Sequence, residues 1–120
     1  MADRITWRLC MLGALALAAC ATQPQLPAPP ADLVARLNGL GANECNTEVA
    51  RVLAQHRVTA AQVTSVRYTP NFNVRAHGGE MVGQIAWVYI AGQPGVAMIT
   101  VGNQCSLQGV ATDGGLSFPR

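Results

Sequence analysis

Residues 81–101 read MVGQIAWVYIAGQPGVAMITV, and this stretch decides the fold. Two apolar runs of strand length flank Gly92-Gln93-Pro94-Gly95, a cluster that turns the chain. Met81 to Ala91 is apolar on both of its alternating sets, as a central strand is, and Val96 to Val101 returns beside it. Gly102-Asn103 then forms a second turn, Cys105 to Thr112 a last strand, and the chain frays after Asp113-Gly114-Gly115. Upstream, Val66 and Tyr68 alternate with Ser65, Arg67 and Thr69, so a half-buried strand runs from Val63 until Pro70 ends it. Asn71 to Glu80 reads as the loop between these strands.

Before Val63 the apolar period is helical. Asp32 precedes Leu33, Val34, Leu37 and Leu40, which suits a short helix stopping at Gly39 or Gly41. Cys45, Val49, Val52, Leu53 and His56 mark one face of a second helix, with Asn43 or Asn46 as its cap. The expected fold is α+β: two N-terminal helices packed on a small antiparallel sheet of three to four strands.

Further outward lies a targeting pattern. Met1 to Arg8 holds two arginines and Leu9 to Ala19 is an apolar stretch, followed by small residues, as in an export signal. Leu17-Ala18-Ala19-Cys20 resembles the lipobox of bacterial lipoproteins. The resemblance implies that the Cys20 thiol takes a diacylglyceryl group and becomes the mature N-terminus, with palmitate-type chains anchoring the protein to the bilayer. Each buried methylene contributes about 0.8 kcal/mol, so the three chains of that family give a stable anchor. In that family a second mature residue other than Asp, here Ala21, directs the protein to the outer membrane, facing the periplasm. Ordinary signal cleavage at Ala16-Leu17-Ala18 is the competing reading.

Residues 1–19 are therefore expected to be the signal peptide, 20–31 the lipidated cysteine and its tether, 32–115 the folded domain and 116–120 a flexible C-terminus. Four prolines between Thr22 and Ala31 favour extended backbone. At ~3.1 Å per residue that tether could hold the domain roughly 30 Å from the lipid.

Cys10 leaves with the signal and Cys20 takes lipid, so Cys45 and Cys105 enter an oxidising compartment as a pair and should bond. Their bond would pin the second helix to the last strand, and a loop of about 60 residues gives on the order of 4 kcal/mol by the chain-entropy argument. Those cysteines with His56 and His77 have no local ligand spacing, so neither a metal nor another cofactor is expected.

Composition narrows function further. The chain has eight arginines, no lysine and six acids, for a net charge of +2. Losing Arg4, Arg8 and Asp3 with the signal brings this to nearly neutral, without the clustered basic face that nucleic acid requires. Ser65, Ser106 and Ser117 occupy no nucleophile elbow, and neither His56 nor His77 has a neighbouring acid to orient it. Glu44 and Glu48 suit the first turn of a helix, where acids complement the dipole. The protein is thus read as noncatalytic.

What remains is an interaction surface. Arg67, Phe72 and Arg75 are the expected partner-binding residues, being of types that carry interface energy and lying on or beside the loop. Trp87 and Tyr89, sharing one face of a strand, are expected in the core. Thr59-Ala60-Ala61-Gln62-Val63 and Ala86-Trp87-Val88-Tyr89 resemble segments of the small lipoprotein subunit of the outer-membrane β-barrel assembly machine. Its Gly-Met before Thr59 is missing here, so the likeness is one of helices before a meander.

The functional expectation is a membrane-anchored periplasmic lipoprotein that binds an envelope protein or maintains the envelope; a loop-inserting enzyme inhibitor is a variant of it. A small-ligand carrier or periplasmic enzyme near His56 or His77, and a purely structural envelope lipoprotein, are the alternatives.

Overall fold

The computed structural model describes residues 27–73 and 79–119. The expected signal peptide and tether up to residue 26, Cys20, Arg75 and His77 lie outside the described residues. Two helices, α1 (Ala31–Leu40) and α2 (Asn46–Gln55), precede four strands, β1 (Val63–Asn73), β2 (Glu80–Ile90), β3 (Val96–Gly102) and β4 (Leu107–Asp113). The strands form one antiparallel sheet in the order β1-β2-β3-β4. The fold is α+β, with the helices before the sheet.

Pro30 occupies the cap position of α1, and its carbonyl accepts the first helical bond, from the Val34 N–H at 3.1 Å. Leu33 and Leu37 are the residues of α1 that bury fully. At α2, the Asn43 side-chain oxygen accepts the Cys45 N–H at 2.8 Å and the Asn43 carbonyl accepts the Asn46 N–H, which turns the chain into the helix. Val49, Ala50, Val52 and Leu53 then face the core. Helix α2 ends in a Schellman arrangement: Val58 N–H donates to the Leu53 carbonyl and Arg57 N–H to the Ala54 carbonyl. Arg57 takes the left-handed position that glycine normally holds there, at φ 62°. Val58 and Leu53, both buried, supply the apolar contact typical of this ending.

Thr59 and Gln62 cap a single 3-10 turn reciprocally, and the chain passes straight into β1. The Arg36 side chain donates to the Val63 carbonyl at 3.0 Å, which ties α1 to the start of the sheet. Val66, Ala86, Val88, Ala97, Ile99 and Val101 meet the leucines and valines of both helices in one core. Within it sits Asn46, 1% exposed: its amide donates to the Asn38 side chain and the Gly41 carbonyl, and its oxygen accepts the Tyr68 hydroxyl at 2.7 Å. Burial raises the Tyr68 phenol well above its ordinary range, so it remains a donor.

Four expectations need correction. Pro70 does not end β1, which continues to Asn73; β1 is an edge strand, where a residue without an N–H leaves no ladder bond broken. The loop after it is correspondingly shorter than Asn71 to Glu80. Cys105 is bonded to Cys45, with Cα atoms 5.1 Å apart, but it lies in the β3–β4 turn at φ 59° rather than in β4. Residues after Gly115 return to the core: Leu116 is 5% exposed, Ser117 N–H donates to the Gln93 side chain, and the Phe118 ring stacks on His56 at 4.2 Å. Gly114 and Gly115, both at positive φ, make that reversal.

Two measurements check these accounts. Arg57→Gly should raise stability by about 0.5–1 kcal/mol in urea unfolding, since it relieves a left-handed side chain at a cost in unfolded-state entropy. Tyr68→Phe should lower it by about 1–2 kcal/mol, because the Asn46 oxygen loses its donor inside the core.

Candidate interaction surface

The register sorts the sheet into two faces. Tyr68 reaches Asn46 on α2, so Tyr68 and its aligned neighbours Ala86, Ile99 and Val110 define the face under the helices. The opposite face presents three rows. Arg67, Trp87, Met98 and Ala111 align across all four strands. Thr69, Ile85, Thr100 and Gly109 form the row on one side. Ser65 and Tyr89 begin the row on the other, which Val96 and Asp113 complete. No helix of the described residues lies over this face.

Trp87 is half-buried and its indole N–H donates to the Thr69 hydroxyl at 2.7 Å, which fixes the ring across β1 and β2. Tyr89 is 38% exposed. Neither belongs to the core, and the expectation that they do fails for a definite reason. β2 is apolar on both sets, and the smaller set, Ala86, Val88 and Ile90, is the one that the helices cover.

A β-bulge shapes the far end of the surface. Asn71 pairs with Gly83 but Phe72 with Met81, so Val82 is the extra residue on β2. Gly83, at φ 153°, lies so close to the Val101 carbonyl that no Cβ fits between them. Phe72 and Met81 are exposed apolar side chains at this end.

The structure therefore separates two of the expected binding residues. Arg67 is exposed in the middle row of the open face, whereas Phe72 has the parity of Val66 and Tyr68, the helix-facing set, beyond the helices' cover. Arg75 falls outside the described residues. Trp87 and Tyr89, expected in the core, lie on this face together with Ile85 and Met98, which the sequence does not single out. Only knowledge of which face the helices cover would have exposed them.

Elsewhere among the described residues the surface offers little chemistry. His56 is held against Phe118 at the end of α2. Glu44 lies beside Cys45 and Cys105, but both sulfurs are joined to each other. An open groove of about 370 Å³ runs between the start of α1 and the end of α2, lined by Asp32, Leu33, Ala54, Arg57 and Val58 among others. No protein-family model matches the chain, no curated protein matches it, and no solved structure matches it.

The two faces should respond differently to truncation. Val88→Ala should cost about 2 kcal/mol, as a cavity under the helices. Tyr89→Ser, its neighbour in sequence, should cost under about 1 kcal/mol. Urea unfolding of both variants reads the difference directly.

Proposed function

We propose that the chain is a lipid-anchored, periplasm-facing lipoprotein of the outer membrane that acts without catalysis, docking a protein on its open sheet face. The observation that carries this reading is that face itself: Trp87, Tyr89, Ile85 and Met98 lie together on the side that no described helix covers, beside exposed Arg67. Tyr, Trp and Arg are the types that dominate binding energy in interfaces, and a Trp held by Thr69 loses little further freedom on docking.

The path of the tether supports the same reading. Pro27 to Pro30 run along α2, where the Arg51 side chain donates to the Pro27 carbonyl at 3.1 Å and pairs with Glu48. The chain thus reaches the domain on its helical side, and the open face is turned away from it. With Cys20 acylated, six residues from Ala21 to Leu26 separate the anchor from Pro27. At ~3.1 Å each they span roughly 20 Å, shorter than a tether running free to residue 31. The disulfide suits a compartment outside the cytosol.

The ligand-carrier reading comes second and rests on the groove beside Asp32 and Arg57, whose apolar lining could hold a small molecule. The enzyme reading has no comparable support in the described residues.

A photo-crosslinking residue at position 89, compared with one at Ala35 on the exposed side of α1, tests the proposal in intact cells. Adducts should form from position 89 and fall away from Ala35, and Cys20→Ala should abolish palmitate labelling and weaken the adducts. Adducts from Ala35 alone would transfer the docking surface to the helices. Unchanged palmitate labelling in Cys20→Ala would end the anchoring part of the proposal.

A further inference from the structure

Within the four-stranded part of the open face, the described residues carry two charges: Arg67 on β1 and Asp113 on β4. They lie at opposite edges of the sheet, one side-chain row apart. Between them the face is uncharged, with large side chains on β2 and small ones, Gly109 and Ala111, on β4.

A surface with one charge of each sign at its two edges is complementary to itself under one kind of two-fold axis. With the axis parallel to the strands and between β2 and β3, β1 of one copy lies over β4 of the other. Arg67 then faces small Ala111 of the second copy and reaches along the strand toward Asp113, about 7 Å away at two residues of strand rise. The second pair forms by symmetry. Trp87 lies over the second copy's Met98, and Ile85 over Thr100. The two Arg67 residues are separated by three strand spacings and by the roughly 10 Å between packed sheets, together beyond a Debye length. An axis perpendicular to the strands does the reverse and stacks β1 on β1, bringing the two arginines together.

We propose that the partner of the open face is a second copy of this chain, docked as a two-fold sandwich in which Arg67 of each protomer meets Asp113 of the other. The proposal rests on the reading of this face as a docking surface and names its occupant. Four strands at about 4.8 Å and seven residues at about 3.3 Å give a flat footprint of roughly 400 Å² per protomer. That is about half the ~800 Å² per partner of a standard stable interface. The dimer is accordingly weak and reversible, and confinement of both copies to one membrane raises their effective concentration.

The test uses the full-length chain in intact cells, with a photo-crosslinking residue at Met98, close to the proposed axis. It compares the parent protein with Arg67→Asp, Asp113→Arg and the variant carrying both. The homodimer adduct should form in the parent, fall about tenfold in each single variant, and return to within about threefold of the parent in the double variant. The double variant also serves as the folding control, because it contains both substitutions. Equal adduct yields in all four proteins, or two weakened singles without recovery in the double, would overturn the charge-matched dimer. Adducts solely with a different protein would overturn self-association while leaving the docking face intact. Absence of any adduct from both positions 98 and 89 would remove the docking reading as well.

Discussion

Two ten-residue helices cover one face of a four-stranded sheet and no more. Each helix contributes one stripe of buried residues, Leu33 and Leu37 from α1 and Val49 to Leu53 from α2, and those stripes meet a single set of strand residues. Among the described residues no further element shields the second face. The open surface is therefore a consequence of the element count, and its character depends on which residues the register leaves there. Had those positions been serine and threonine throughout, the fold would be an ordinary half-solvated sheet. Trp87, Ile85, Tyr89 and Met98 make it a surface that gains from being covered.

The position of the helical layer is set by a few polar and covalent ties. Cys45 caps the start of α2 and is joined to the turn between β3 and β4, so one end of the helix is fixed over the far side of the sheet. Asn46, the next residue, is bonded to α1 through Asn38, to the interhelical turn through Gly41 and to β1 through Tyr68. At the other end of α2, Phe118 stacks on His56 and Leu116 fills the core beside it. These contacts fix which face of the sheet is buried, and with it the parity that sends Trp87 outward.

The hairpin of β2 and β3 was legible because a turn-forming tetrapeptide separates two long apolar runs, and the helices because their leucines and valines recur at helical spacing. The misreadings have a common origin, since each concerns a residue whose meaning depends on its neighbours in space. Pro70 stops a strand in the interior of a sheet but not at an edge, and edge status is decided by strand order. Cys105 falls in a turn because the β3–β4 connection takes it up in a left-handed conformation. Gly114-Gly115 reads as the start of a tail, yet it reverses the chain toward Phe118. Arg67 and Phe72 are five residues apart in one continuous strand, so they alternate onto opposite faces. Once Pro70 is taken as the end of the strand, that parity cannot be followed.

The proposed lipid anchor and the open face together bear on how the domain is oriented. Anchored as proposed, the domain would have its helices on the membrane side, because Pro27 to Pro30 lie along α2 and the Arg51 side chain donates to the Pro27 carbonyl. A docking surface on that side would compete with the bilayer and with the tether for the same space. A surface on the opposite side competes with neither. The sheet face meets this condition without any special device, because the segment that covers the other face is also the segment nearest the tether in sequence. On that proposal the order of elements, N-terminal segment then helices then sheet, is enough to turn the apolar face away from the anchor and toward whatever stands beside or above it.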